Sequence, residues 1–375
     1  MAGKKFQISI STISGGAVAN IFKIFSGNKI ESQYYPRVAA SVLFSMFAEP
    51  FRWWEHLRYD GRINSFQLKN DPVFILGHWR SGTTHLHNLM CKDPQMGYVT
   101  TYQGVFPELL LGSSWLFKTF MKMMMPEKRA SDNVELSADY PQEEEFALGN
   151  MNPYGYYNFW FFPKETKRDF ERFIAFKGAD AAMLTRWKAD YLRLAKKSLL
   201  NTGGERFCSK NPPHTGRIKQ LLELFPDAKF AHIYRNPVVI FISTKKLIES
   251  TMPALQFQDI SSEELEENIL WVYEHIMRAY LRDRALIPPQ NLIELRFEDF
   301  EKNTLPELER IYKQLQLPGF AQAKPFFQQY IDAQKSYEKN KYSLPGSTVE
   351  KITTRWKFAM DHWGYNLPEN LEIRD

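Results

Sequence analysis

The sequence predicts an α/β protein in which a parallel central sheet is flanked by helices, and two features carry that reading. The first lies at residues 72–90. A short apolar strand at 73–76 runs into a tight turn opened by Gly77 and closed by Gly82, and a helix opens near Thr83. The second is the rhythm of residues 205–317. Strands at 205–210, 228–234 and 292–296 alternate with helices at 215–225, 237–249, 262–285 and 305–317. Strands that alternate with helices pair in parallel and bury both faces of their sheet under the helices.

The glycines of the first feature have the spacing of a phosphate-binding P-loop, so the central sheet is expected to be P-loop-like. Such a turn aims backbone N–H groups at one point and adds the positive end of a helix, which together hold an anion. A loop that binds a nucleoside triphosphate continues Gly-Lys-Ser/Thr. Here Gly82 is followed by Thr83 and Thr84, and the fixed cation of the loop is Arg80.

The other segments fit around this unit. Residues 1–35 show weak periodicity. From 36 to 57 the positions Val38, Leu43, Met46, Phe47, Phe51 and Trp54 suit an amphipathic helix that Pro50 kinks or divides. Phe51, Trp53 and Trp54, beside Arg52, Glu55 and Arg58, offer a packing face or a peripheral contact with a membrane surface. Asp93-Pro94 stops the loop helix. An apolar stretch at 98–111 and a Met-rich amphipathic stretch at 115–125 precede the acidic cluster Gln142-Glu143-Glu144-Glu145. An aromatic run follows at 154–162, and residues 164–200 read as surface helices. The expected organisation is a single domain over residues 1–375, with an N-terminal helical segment at 1–70 and a helical insertion at 95–200.

The composition is that of a globular protein of 375 residues, 44% hydrophobic and 24% charged. A net charge of +5 without a dense Lys/Arg block suits anionic ligands and does not point to nucleic acid. Two cysteines, Cys91 and Cys208, supply neither a disulfide framework nor a four-thiolate metal site. No run reaches the roughly 18 apolar residues that span a bilayer, and Lys4 and Lys5 are not followed by a secretory pattern. The expected location is cytoplasmic, with peripheral membrane contact as a variant of it.

In an open parallel sheet, ligands bind beyond the carboxyl ends of the strands. The Arg80 loop follows the first strand, Lys210 ends the second and Arg235 ends the third, with Ser243 eight residues on. Three cations at neighbouring strand ends suit a ligand with more than one anionic group. A triphosphate site needs a lysine after Gly82 and an acidic strand end for Mg²⁺. The strand end at Tyr234-Arg235 is basic, so the site is expected to bind its anion without a metal.

These residues resemble those of the sulfotransferases that use 3′-phosphoadenosine 5′-phosphosulfate (PAPS), in their bacterial form. Arg80-Ser-Gly-Thr-Thr84 resembles that superfamily's 5′-phosphosulfate loop, and Arg235 with Ser243 its 3′-phosphate site. Leu295-Arg-Phe-Glu-Asp-Phe300 resembles its Arg-Tyr-Glu-Asp-Leu segment. Cys208-Ser-Lys-Asn-Pro212 is similar to a lysine-containing strand end of tyrosylprotein sulfotransferases. The resemblance runs from residue 72 to Trp363-Gly364-Tyr365. It implies that Arg80 and the backbone of Ser81, Gly82, Thr83 and Thr84 hold the 5′-phosphate, that Arg235 and Ser243 hold the 3′-phosphate, and that Lys210 neutralises charge on the group in transit. Lys339 to Tyr342 would close over the nucleotide.

The general base is not carried by the resemblance. Tyrosylprotein sulfotransferases have a glutamate shortly after the loop, whereas residues 99–103 here read Val-Thr-Thr-Tyr-Gln. The candidates are Glu143, Glu144, Glu145 and His85, while His78 and His87 read as structural. The aromatics and methionines between 98 and 162 favour a hydrophobic hydroxyl acceptor, such as a sterol, phenol or lipid alcohol. A glycan acceptor, an atypical P-loop kinase and a non-catalytic nucleotide-binding protein are the alternatives.

Overall fold

Residues Val73–Leu76 form strand β1, buried along its whole length, in the expected place. The computed structural model describes residues 11–124, 137–333 and 342–374. Four further strands join β1: β2 (Met96–Gly97), β3 (Arg206–Lys210), β4 (Lys229–Tyr234) and β5 (Leu292–Arg296). Their order is β2-β3-β1-β4-β5, and every neighbouring pair is parallel. Val73 stands between Cys208 on β3 and Lys229 on β4. The loops that follow β3, β1 and β4 therefore emerge side by side at one sheet edge.

The described chain separates into two compact units, and this sheet belongs to one of them, with residues 68–98, 202–247 and 266–374. Its core joins Val73 and Ile75 of β1 to Leu86, Leu89 and Met90 of the helix Thr83–Met90. Ile233, Leu295, Leu308 and Ile311 are among its other members. The apolar residues of Thr83–Met90 recur at three- and four-residue steps and so face the sheet together. The helix expected at 215–225 is instead a 3₁₀ turn at Pro212–Gly216 followed by the helix Ile218–Leu224, because two consecutive prolines open it. Helices Phe320–Ala333, Gly346–Arg355 and Lys357–Trp363, and a two-stranded parallel pair of β6 (Tyr342–Pro345) and β7 (Leu371–Arg374), were not legible in the sequence.

The other unit comprises residues 11–67, 99–201 and 248–265. The expected N-terminal helical segment and helical insertion thus fold together in it. The helix Tyr35–Ser65 runs through Pro50 as one element. Its Glu55 carboxylate is fully buried and accepts the N–H groups of Leu110 and Leu111 at 3.0 Å and of Gly112 at 3.1 Å. Lys197 Nζ donates to the same carboxylate at 2.7 Å and to Glu108 at 3.0 Å. Burial pushes the Glu108 carboxyl up, but Lys197 and Arg193 outweigh it and hold the group below the usual carboxylate range.

The helix Ala181–Thr202 that carries Lys197 corrects the surface-helix expectation for residues 164–200. Trp187, Tyr191 and Leu194 are buried on one side of it. Among the described residues, no helix is long and apolar enough to cross a membrane.

Candidate active site

The loop between β1 and the helix Thr83–Met90 is held by close packing at both glycines. Gly77 has φ +145°, and a Cβ there would lie 2.5 Å from the Ile233 carbonyl oxygen. Its N–H donates to Thr215 Oγ1 at 2.8 Å, and that hydroxyl donates back to the Gly77 carbonyl at 3.2 Å. Gly82 is the N-cap of the helix, with φ +103°, and a Cβ would meet the Phe297 ring at 2.3 Å. Only glycine fits that combination of positive φ and contact.

Between them, Arg80 adopts φ 69°, a conformation that residues with side chains seldom take. This turns its guanidinium toward the helix Pro237–Thr251, where Arg80 Nε donates to Ser243 Oγ at 2.7 Å. The Arg80 carbonyl in turn accepts from Arg235 at 3.4 Å. The Arg235 guanidinium lies over the Phe297 ring, 4.1 Å from its centroid. Phe297 thus packs against Gly82 with its edge and supports Arg235 with its face. Arg80, Arg235 and Ser243 form one connected group.

Lys210, at the end of β3, is buried, and its Nζ reaches Thr84 Oγ1 at 3.4 Å. It stands at the first turn of the loop helix, whose N–H groups have no carbonyl partners within the helix. One part of the expected backbone cradle differs: the Ser81 N–H donates to the His78 carbonyl at 3.2 Å, and Ser81 Oγ to the same oxygen at 2.8 Å. Ser81 therefore closes the turn, and Gly82, Thr83 and Thr84 are the residues placed to present N–H groups outward.

The remaining candidates are placed as follows. His85 packs its ring edge-on against Phe300, centroids 5.5 Å apart, and burial lowers its pKa, so the imidazole is neutral near pH 7. His78 and His87 are buried and bonded to backbone carbonyls, at 2.9 Å to Trp79 and 3.3 Å to Cys208, in keeping with structural roles. Lys339 lies outside the described residues. Tyr342 begins β6 and pairs with Leu371 of β7.

Glu143, Glu144 and Glu145 belong to the other unit, at the start of the helix Glu144–Met151. Glu145 is fully buried and accepts the Tyr156 N–H at 2.6 Å. Glu144 is fully buried as well. Glu143 is half-buried, stands at the N-cap position of the helix without a side-chain capping bond, and accepts a short hydrogen bond from the Tyr157 hydroxyl.

Sequence reasoning did not find Thr215 or Phe297 as site residues. Phe297 lay in plain view within the Arg-Phe-Glu-Asp segment. The same segment carries Glu298, whose carboxylate accepts from the Tyr365 hydroxyl at 2.6 Å, so the Trp363-Gly364-Tyr365 motif is fastened to it. The assembled group offers two guanidiniums, one ammonium, two hydroxyls and a helix N-terminus beside one sheet edge. That donor set suits a ligand with two separated anionic groups.

The parallel sheet carries this loop at its centre, with arginine rather than lysine as the loop's cation, and the chain belongs to the sulfotransferase family. The family matches residues 72–322. The chain is 30% identical, over 323 residues, to the omega-hydroxy-beta-dihydromenaquinone-9 sulfotransferase Stf3 of Mycobacterium bovis and of Mycobacterium tuberculosis. That alignment covers 86% of this chain and 82% of the relative. The fold is similar to that of sulfotransferase STF9 from Mycobacterium avium, with a TM-score of 0.73 at 17% identity over 94% of this chain and 91% of that one. STF1 from Mycobacterium tuberculosis H37Rv follows at 0.63 and 16%, over 92% and 90%.

Proposed function

We propose that this chain transfers the sulfonate group of PAPS to the hydroxyl of an apolar lipid. The observation that carries the donor reading is the linked group of Arg80, Ser243 and Arg235 at adjacent strand ends. A nucleotide with a phosphate at each of its 3′ and 5′ positions matches two anion-binding sets so joined. The 5′-phosphate would be held by Arg80 and the backbone of Gly82, Thr83 and Thr84, and the 3′-phosphate by Arg235 and Ser243. Arg235 and Ser243 would thereby distinguish this donor from nucleotides that lack a 3′-phosphate.

PAPS supplies a sulfonate on a good leaving group: the bond from acceptor oxygen to sulfur forms as the bond from sulfur to the 5′-phosphate oxygen breaks. Lys210 neutralises charge that develops on the oxygen released, where a buried ammonium acts strongly because little water screens it. The acceptor proton passes to a carboxylate or imidazole. Of the three glutamates, Glu143 suits this role best, because Glu144 and Glu145 are fully buried and Glu145 serves a backbone amide. His85, kept neutral by burial, is the other base the chain provides. Guanidinium and ammonium groups meet the charge demand of a singly charged sulfonate, so the transfer is expected to proceed without added metal.

The acceptor class draws on the relative Stf3, whose name specifies a hydroxylated dihydromenaquinone, and on the aromatic run at residues 154–162. Incubation of purified protein with PAPS and hydroxylated lipids, sterols and phenols, followed by mass spectrometry, tests the proposal. Sulfated lipid without added Mg²⁺ is the expected product. Failure to bind 3′-phosphoadenosine 5′-phosphate overturns the donor assignment, and sulfation of glycans alone overturns the acceptor class.

A further inference from the structure

The helix Tyr35–Ser65 is amphipathic in the inverted sense. The side it buries carries Ser41, Ser45, Ala48, Arg52 and Glu55. Arg52, 3% exposed, donates to the Ser45 carbonyl at 2.9 Å and the Gly15 carbonyl at 3.3 Å, and Ser45 Oγ donates to Gly16 at 2.6 Å. Glu55 is satisfied by three amides and Lys197, as described above. Polar residues that normally face water are therefore turned inward, and Ser45, Arg52 and Glu55 find partners there.

The opposite side is apolar and exposed. Leu43, Met46, Trp53 and Leu57 follow one another at three- and four-residue steps through Pro50, with Phe47 and Trp54 beside them. Leu57 is 87% exposed and Trp53 70%. None of these positions carries a charge, and from Leu43 to Leu57 the stripe runs about 20 Å. Gly112 lies flat against Trp54, where a Cβ would come within 2.2 Å of the ring, and three residues on Trp115 is 73% exposed. Arg58 and Arg62 continue the helix beyond the stripe and are exposed, as is Lys122 on the helix Ser114–Met124.

Apolar residues at this exposure cost free energy in water. An apolar stripe with tryptophans along it and arginines at its end matches the boundary of a lipid bilayer. There the stripe enters the acyl region, indole rings sit among the headgroups, and guanidiniums meet anionic phosphates. We propose that this face docks the protein on an anionic membrane surface. The proposal deepens the lipid-acceptor reading and rests on it only for what docking serves: the acceptor would be met where it dissolves.

The experiment is co-sedimentation of the full chain with phosphatidylcholine vesicles, with and without phosphatidylglycerol. Brominated lipid, as a quencher of tryptophan fluorescence, reports insertion. Binding to the anionic vesicles with quenching is expected. Trp53→Ser with Leu57→Ser should weaken it about tenfold or more, and Arg58→Glu or Arg62→Glu about fivefold each, with thermal unfolding unchanged because these side chains are exposed. Absence of vesicle binding, or equal binding by the double variant, overturns the proposal. A dimer in solution that the double variant dissolves also overturns it, since a second copy would then cover the stripe. Binding of 3′-phosphoadenosine 5′-phosphate, measured in parallel without lipid, separates failure of this proposal from failure of the donor assignment.

Discussion

Arg80 donates its Nε hydrogen to Ser243 Oγ across 2.7 Å, joining the loop after β1 to the helix after β4. The two residues thus share one geometry, and the hydroxyl that accepts from Arg80 keeps its own hydrogen for another acceptor. Ser243→Ala is expected to loosen the Arg80 side chain as well as remove one donor, weakening 3′-phosphoadenosine 5′-phosphate about tenfold. Arg235→Ala, which removes a charged fork, should cost about a hundredfold. Isothermal titration checks both, and adenosine 5′-phosphate, which lacks the 3′-phosphate, should show little loss with Arg235→Ala.

Lys210 is buried against Thr84 at the first turn of the loop helix. Lys210→Ala should lower kcat by roughly 10²- to 10³-fold while donor affinity changes little, because its charge counts most as the leaving oxygen gains charge. A fall in donor affinity with kcat intact would instead assign Lys210 to binding alone.

Gly82 combines φ +103° with the edge of the Phe297 ring. Gly82→Ala should abolish nucleotide binding, since both the backbone conformation and the contact oppose a methyl group. Adding Phe297→Ala removes the contact but not the torsional strain, and also removes the surface under Arg235. The double variant should therefore remain without measurable binding, though more stable than Gly82→Ala in thermal unfolding.

Glu143 and Glu145 separate chemistry from folding. Glu143→Gln should reduce turnover without lowering the melting temperature. Glu145→Ala strands the buried Tyr156 N–H and should destabilise the protein by about 1–3 kcal/mol. If Glu143→Gln retains full turnover, His85→Gln becomes the decisive variant.

Stability should fall as pH drops below neutrality. Burial holds His78 down to about 4, against an ordinary value of 6.5. Between those values the unfolded chain takes up a proton that the folded chain does not, so the stability is complete above pH 6.5 and is lost as pH falls toward 4. The slope is at most about 1.4 kcal/mol per pH unit for each such histidine. Asp169, raised by burial to about 6 against the opposing charge of Arg168, works in the opposite sense below pH 6. Urea unfolding from pH 7 to 4.5 should show the decline, and His78→Gln should flatten it.

The grouping of Arg80, Arg235 and Ser243 was legible because the segments that carry it follow neighbouring strands, and an alternating strand–helix pattern brings such segments to one side of the sheet. Arg80, Arg235 and Ser243 needed no knowledge of distances, only of sheet order. The bonds of Ser81 to the His78 carbonyl were not legible, because a turn N–H that bonds back within its own loop leaves no trace in composition. Thr215 and Phe297 were missed for a related reason: a hydroxyl under Gly77 and a ring against Gly82 act through contacts between segments far apart in the chain. The helix Ala181–Thr202 looked like a surface element because Lys197 reads as solvent-facing, whereas two carboxylates neutralise it in the interior. The inverted helix Tyr35–Ser65 shows the same limit, since periodicity identifies a stripe but not the side that is covered.

The hydroxyl that clasps both backbone groups of Gly77 belongs to Thr215, 138 residues further along the chain. On the ribosome, the loop opened by Gly77 is therefore made long before the neighbours that shape it. β1 has no sheet to join until β3 and β4 emerge, and closing so long a loop is slow compared with forming local helices. During that interval four consecutive apolar residues, Val73–Leu76, stand exposed on an unpaired edge, the kind of segment that aggregates when it waits. Yield of soluble protein should thus depend more on synthesis rate and chaperone supply than on the stability of the finished fold.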